Sequence, residues 1–370
     1  MKSTLNSIAL SLFVLSGAAQ AAPLVTEKAT LELTELSQGF DHPWSLAFLP
    51  DGRMLVSERS GTLRIVTGTG EKSAPLAGVP AVKAAGQGGL LGLALDPDFA
   101  KNQLIYFSFS EPVEADNSRT SVAKARLSGT SLTEVQVIFR QAEAINSQYH
   151  YGGRLVFSPQ GELFITTGDR GSRREDAQKL DGHFGKVIRV NTDGSAPKDN
   201  PFVGRADAKA EIWSYGHRNL QGAAVHPQTG AIWTHEHGPQ GGDEINIAQA
   251  GKNYGWPLIT YGEEYGGGVI GQKRKSGLEQ PLHYWVPSIA PSGMSFYSQS
   301  AIAGWQNNLL VGSLKFGQLV RLELTADKVS HEERIRIGSR VRDVQVGPDG
   351  AVYLLTDEDN GKILKLSPAN

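Results

Sequence analysis

The sequence predicts an all-β fold, a six-bladed β-propeller, on three observations. A hairpin pattern recurs six times, glycine is abundant at 43 of 370 residues, and no sustained 3.6-residue apolar period runs through the expected mature chain. Each copy is a short apolar strand, a Pro/Asp/Gly turn and a second apolar strand ending in small or acidic residues. Radial repetition tiles this many hairpins without long unpaired edges, which a two-sheet sandwich would leave open.

The first 21 residues stand apart from that pattern. Lys2 is followed by the apolar run Ile8-Ala9-Leu10-Ser11-Leu12-Phe13-Val14-Leu15 and by Ala19-Gln20-Ala21, a small-x-small cleavage site. This reads as a secretory signal peptide, so a periplasmic or secreted location is expected. The run is shorter than the ~20 residues of a spanning helix and no later stretch replaces it, so membrane insertion is not expected. Residues 22–370 are expected to form one domain, because no Pro/Ser/Gly-rich linker or charge block divides them.

The six first strands are read at 45–48, 91–95, 155–157, 222–225, 293–297 and 344–346. Their turns include Pro50-Asp51-Gly52, Asp96-Pro97, Ser158-Pro159-Gln160-Gly161 and Pro348-Asp349-Gly350. Second strands follow, as in Met54-Leu55-Val56-Ser57-Glu58, Leu163-Phe164-Ile165-Thr166 and Val352-Tyr353-Leu354-Leu355-Thr356. Sharing the mature chain among six units assigns about 58 residues to each, against the ~40–45 of a compact four-stranded blade, so the excess must be loops.

Composition removes several function classes. The chain has no cysteine, which excludes disulfides, thiolate metal ligands and cysteine nucleophiles. Formal charge is −2, or −3 once Lys2 leaves with the leader, so global attraction to nucleic acid or anionic lipid is not expected. Gly182-His183-Phe184-Gly185-Lys186-Val187 lacks the spacing and the Ser/Thr of a phosphate loop. No Gly-x-Ser-x-Gly elbow and no G-x-G-x-x-G fingerprint occurs, so neither an α/β-hydrolase nor a nicotinamide enzyme is indicated.

In a propeller the residues entering the innermost strands line a central funnel. Those residues deliver Gln87, His150, Arg218, Asn219, Arg340 and Arg342 from separate repeats to one mouth. The result is a cationic, hydrogen-bonding pocket, with neighbouring glycines that permit close backbone approach. Alternation on a strand puts Arg340 and Arg342 on one face, with Val341 opposite. Two adjacent guanidiniums repel unless an anion lies between them. That anion is either a ligand carrying several carboxylates or a protein acid such as Asp343 or Asp357.

The run Thr234-His235-Glu236-His237-Gly238-Pro239-Gln240-Gly241-Gly242-Asp243-Glu244 ends a strand and enters a Gly-rich loop. His235 and His237 would share a face, but with neither H-E-x-x-H spacing nor a third ligand the zinc reading is weak. Main-chain oxygens at Gly238 and Pro239, with carboxylates at Asp243 and Glu244, better suit calcium.

At this point the chain resembles the soluble PQQ-dependent aldose sugar dehydrogenases of the glucose/sorbosone dehydrogenase family. The stretches that carry the resemblance include His42-Pro43-Trp44, Gly86-Gln87-Gly88-Gly89-Leu90, His150-Tyr151-Gly152-Gly153-Arg154, Tyr215-Gly216-His217-Arg218-Asn219, Asn253-Tyr254-Gly255-Trp256-Pro257 and Arg340-Val341-Arg342-Asp343. The resemblance implies six blades, an aldose substrate, pyrroloquinoline quinone (PQQ) with Ca2+, and an external electron acceptor. It implies His150 as general base with Asp169 beside it, Arg218 stabilising developing charge, and Gln87, Arg218, Asn219, Tyr261, Lys315, Arg340 and Arg342 holding PQQ. Gly238 and Pro239 then offer main-chain oxygens to the calcium touching PQQ, and Glu244 and Tyr254 serve a second, structural calcium. The segment Gly262-Glu263-Glu264-Tyr265-Gly266-Gly267-Gly268 departs from a tightly built substrate wall. A calcium-dependent propeller lactonase would require acids and amides around the axis, and a non-enzymatic binding propeller an exposed apolar patch.

Overall fold

A computed structural model describes residues 23–369; the expected leader lies outside them. The chain opens with β1 (Leu24–Val25) and β2 (Thr30–Phe40), then builds a first blade from β3 (Pro43–Phe48), β4 (Met54–Glu58) and β5 (Thr62–Val66). The second blade is β6 (Leu90–Leu95), β7 (Leu104–Val113), β8 (Asn117–Ser128) and β9 (Ser131–Arg140). The third is β10 (Leu155–Phe157), β11 (Leu163–Thr166), β12 (Lys186–Val190) and β13 (Ile212–Tyr215). The fourth is β14 (Leu220–Val225), β15 (Ile232–Glu236), β16 (Asp243–Ile247) and β17 (His283–Trp285). The fifth is β18 (Pro291–Tyr297), β19 (Asn308–Ser313), β20 (Gln318–Thr325) and β21 (Lys328–Arg336). The last is β22 (Val341–Val346), β23 (Val352–Thr356) and β24 (Gly361–Pro368).

Among the described residues these strands form six antiparallel sheets. The innermost strands β3, β6, β10, β14, β18 and β22 neighbour one another in a closed ring, and each contains the first strand read from its repeat. The fold is a six-bladed β-propeller. The ring is locked where β2 crosses to the last blade and pairs with β24 from Leu31↔Pro368 to Phe40↔Gly361. That closure was not read from the sequence, since the repeats describe single blades and not how first and last meet.

Apolar side chains pack chiefly between blades. Leu63, Phe107 and Ala123 lie in the layer between the first and second blades, and Trp233, Met294 and Leu309 in that between the fourth and fifth. Full burial of such a side chain contributes roughly 1.5–3 kcal/mol, so the ring stands on its inter-blade layers without a disulfide.

The axis itself is polar. Arg154, just before β10, donates from Nη1 to Asp343 Oδ1 on β22 across the ring at 2.9 Å, from Nη1 to Ser45 Oγ at 3.3 Å and from Nε to the Gln221 carbonyl at 3.0 Å. Its guanidinium lies 4.3 Å from the ring centre of Trp44. This linkage joins four blades beneath the mouth. Arg154 also borders a channel of about 500 Å3 of mixed polarity, lined by residues such as Leu46, Phe296, Ser298 and Gln345.

Innermost strands also bend at their mouth ends. Register shifts fall between Pro43 and Ser45, Leu90 and Leu93, Leu220 and Gly222, Ser292 and Met294, and Val341 and Asp343. Such bulges re-aim side chains next to active sites.

Candidate functional site

His150 stands on the loop before β10 with a left-handed backbone, φ 48°, a conformation that costs a non-glycine residue energy. Two neighbours hold it there. Gln87 Oε1 accepts the His150 backbone N–H at 2.8 Å, and Asn219 Oδ1 accepts that of Gly152 at 3.2 Å. Gly168 lets the backbones close up, because a Cβ there would lie 2.1 Å from the His150 carbonyl oxygen.

The imidazole is oriented by Asp169. Asp169 Oδ1 lies 2.6 Å from His150 Nδ1 and accepts the Gly171 N–H at 2.7 Å, while Oδ2 accepts from Trp256 Nε1 at 2.8 Å. Burial pushes the Asp169 carboxyl up, but the His150 bond and the charges of His150 and Arg218 outweigh it and hold the group below its ordinary range. An ionised acceptor requires the proton on His150 Nδ1, which leaves Nε2 with a free lone pair. For His150, burial depresses proton affinity and Arg218 and Arg170 act in the same direction; the Asp169 bond opposes them without reversing the shift. The imidazole is therefore neutral at neutral pH.

His150 opens into a cavity of about 720 Å3, shared with Gln87, Tyr149, Arg170, Arg218 and Tyr265. Arg218 Nη1 donates to the carbonyls of His237 at 3.1 Å and Gly238 at 2.7 Å, and its guanidinium sits 5.4 Å from the Trp256 ring centre. Trp256 thus touches both the acid that orients His150 and the neighbouring cation.

Arg340 and Arg342 meet at Asp357. Arg340 Nη2 and Arg342 Nη2 both reach Asp357 Oδ2, at 2.9 and 2.8 Å. The shared direction arises from the bulge, since Val341 pairs with Thr356 and Asp343 with Leu355, so that Arg342 is the extra residue. Of the two protein acids considered from sequence, Asp357 lies between the guanidiniums and Asp343 is committed to Arg154. Burial raises the Asp357 carboxyl, yet Arg342, Arg340 and Arg59 hold it well below the usual carboxylate range. Arg342 Nη1 also donates to Gln221 Oε1 at 2.8 Å. Burial foremost, then the fields of His235, Arg218, Arg342 and His150, keep the His237 imidazole neutral.

The sequence profile for glucose/sorbosone dehydrogenases matches residues 40–365. The chain belongs to the glucose/sorbosone dehydrogenase family. It is 46% identical over 367 residues to the aldose sugar dehydrogenase of Escherichia coli, covering 97% of each chain. The crystal structure of the soluble E. coli enzyme in its apo form superposes with TM-score 0.89 at 46% identity, over 92% of this chain and 100% of that one. The PQQ-bound aldose sugar dehydrogenase of Streptomyces coelicolor superposes with TM-score 0.75 at 29% identity, over 94% and 100% of the two chains. This member of the family is accordingly an oxidoreductase of the sugar dehydrogenase class. No helix among the described residues is long and apolar enough to cross a membrane.

The Gly-rich loop differs in detail from its reading as a set of calcium ligands. Asp243 is taken by protein donors: Gly238 N–H at 2.9 Å on Oδ1, and Ser288 Oγ at 2.6 Å, Ile289 N–H at 2.8 Å and Ala290 N–H at 2.9 Å on Oδ2. It fastens the loop to the start of the fifth blade instead of offering an open carboxylate. Glu244 and Tyr254 do come together, with Glu236 and Gly238, around a void of about 10 Å3 beneath Arg218. Burial and the neighbouring Glu236 push the Glu244 carboxyl well above its ordinary range. The Tyr254 hydroxyl donates to the Ile247 carbonyl. His235 is fully buried, and no ring nitrogen of His235, nor Nε2 of His237, has a hydrogen-bond partner.

Of the seven expected cofactor-binding residues, Gln87 and Arg218 line the His150 cavity, whereas Asn219, Tyr261, Lys315, Arg340 and Arg342 lie outside its lining. Tyr261 stacks on Tyr284 at 3.8 Å between ring centres, and its hydroxyl donates to Gln280 Oε1 at 2.9 Å. Lys315 is exposed, its ammonium 5.3 Å from the Phe316 ring centre; it follows Leu314, whose carbonyl accepts from Arg340 Nη1 at 3.3 Å. Sequence reasoning assigned no role to Trp256, Arg59 or Tyr265. Trp256 stood inside a quoted family stretch, and Arg59 directly follows a repeat's second strand, so position offered a signal for both.

Proposed function

We propose that this enzyme oxidises aldoses at the anomeric carbon to lactones, with PQQ as the bound electron acceptor, calcium beside it and His150 as general base. The observation that carries the reading is the buried His150–Asp169 pair, 2.6 Å apart, opening into a cavity that Gln87, Arg170 and Arg218 also line.

The residues suit a polycarboxylate quinone. Arg342 Nε and Arg59 Nε are buried without partners, and an unpaired buried guanidinium N–H is costly unless an anion meets it. Gln87, Arg218, Asn219, Arg340 and Arg342 would hold PQQ, with Tyr261 and Lys315 from the outer rim. When bound, PQQ supplies the two-electron redox chemistry that no protein side chain here offers. A calcium ion would use the main-chain oxygens of Gly238 and Pro239. The Gly238 oxygen has two lone pairs, and one already accepts from Arg218. The proximity of Glu236 and Glu244 around an ion-sized void supports a second cation there, held by Glu244 and Tyr254.

His150 then takes the proton from the anomeric hydroxyl at Nε2, while Asp169 holds the ring and favours the imidazolium as it forms. Arg218 lends positive charge to the same wall. The rim residues Tyr149 and Tyr265, both exposed, leave the sugar end open, in keeping with a broad aldose range. The wider reading includes a cleaved leader over residues 1–21, a single domain over 22–370 and a periplasmic or secreted location. Reconstitution tests the proposal: purified protein stripped of cofactor should reduce an artificial dye with aldose only after PQQ and Ca2+ are both added. Lactone formation without PQQ, or none with it, would overturn the reading.

A further inference from the structure

We propose that Arg59 is a third arginine of the anion clamp, binding a carboxylate of the cofactor together with Arg340 and Arg342. The inference rests on the PQQ reading above.

Arg59 directly follows β4, on the blade that neighbours Arg342's blade across the closure of the ring. Its main chain is pinned at the mouth, the N–H donating to the His42 carbonyl at 3.2 Å and the carbonyl accepting from Leu90 N–H at 3.3 Å. Nη1 donates to the Gly86 carbonyl at 2.6 Å, next to Gln87, which carries the His150 loop. Nε is buried and unpartnered, and Nη2 has no protein acceptor among the described residues. Nε and Nη2 form the edge of a guanidinium that accepts a carboxylate in two parallel bonds. That edge is the unused one.

Charge supports the same conclusion. Arg59 lies beside the Asp357 segment, since His42, whose carbonyl accepts the Arg59 N–H, donates its own N–H to the Glu358 carbonyl at 3.0 Å; burial disfavours the Arg59 charge, the Asp357 field favours it, and Arg342 and Arg340 oppose it. Asp357 spends Oδ2 on both Arg340 and Arg342. One carboxylate against three guanidiniums leaves two positive charges uncompensated within the cluster; Asp41, the other acid near Arg59, is exposed and bonded to His42. A purely structural arginine would close its fork on protein oxygens. This one closes half.

The test is the affinity for PQQ, read by quenching of tryptophan fluorescence in Ca2+ at several salt concentrations. Arg59→Gln keeps an N–H for the Gly86 carbonyl but removes the charge and the fork, and it should weaken PQQ binding about tenfold or more with a shallower salt dependence. The PQQ trimethyl ester, whose carboxylates are masked, should bind wild type and variant alike. Wild-type affinity in Arg59→Gln, or an equal loss for the ester, would overturn the proposal. Arg342→Gln measured alongside separates the two levels: a loss there with a silent Arg59→Gln overturns this inference alone, whereas absent wild-type binding removes the parent reading and this one with it. Should Arg59→Gln fail to melt cooperatively, Arg59→Lys decides, since charge without the fork should still weaken PQQ severalfold and leave the ester unaffected.

Discussion

Asp169→Asn offers the sharpest test of the base. In the native site Oδ1 takes two donors, His150 Nδ1 and Gly171 N–H, and Oδ2 takes a third, Trp256 Nε1. An amide has one oxygen, so a donor must face a donor. With NH2 toward Trp256 the His150 bond survives without its charge; with NH2 toward His150 the imidazole adopts the tautomer that blocks Nε2. A hydrogen bond to a charged partner contributes about 1.5–3 kcal/mol. At about 1.36 kcal/mol per pH unit, losing that charge lowers the His150 proton affinity by roughly one to two units. The sign follows from linkage: less stabilisation of imidazolium keeps the ring neutral to lower pH. The acid limb of kcat/KM, already below the ordinary histidine range because of burial, should therefore move further down, while the plateau falls about 10²–10⁴-fold. Adding Trp256→Phe removes the donor collision and should recover part of the plateau without returning the limb. The assay is dye reduction across pH in the PQQ- and calcium-loaded enzyme. An acid limb that stays put or moves upward would refute the assignment of His150 as the titrating base.

Three further outcomes are expected. His150→Ala should lower turnover at least about 10²-fold while PQQ still titrates as in wild type, and normal dye reduction would defeat the base assignment. Arg340→Ala combined with Arg342→Ala should weaken PQQ by about two decades or more, chiefly in affinity and less in kcat at saturation; undiminished binding would defeat the clamp. Asp343→Asn leaves the Arg154 guanidinium uncompensated on the axis and should cost about 3–5 kcal/mol in urea denaturation, so a loss under about 1 kcal/mol would refute the bracing role of that pair.

Much of the architecture was legible because each blade repeats a local instruction. Apolar alternation, a Pro/Asp/Gly turn and a second apolar strand require only neighbours in sequence, and all six innermost strands lie where the repeats put them. The site was legible in part for the same reason: residues at one phase of a repeat arrive at one mouth. His150, Gln87 and Arg218 share a cavity on that account. Arg340 and Arg342 converge as expected, yet through a bulge and not through simple alternation. Asp243 shows the limit of composition, since its acidity suggested a metal while its four donors make it a fastener.

The sequence by itself determined the blade count, the all-β character and the residue types that gather at the axis, since these depend on period and phase along one stretch of chain. Tertiary structure alone decided how the ring closes through β2 and β24, which of two acids sits between Arg340 and Arg342, that Trp256 serves Asp169, and that Arg154 spans to Asp343. Each of these is a contact between residues far apart in the chain. Its identity follows from the geometry of the closed ring, which no single repeat encodes.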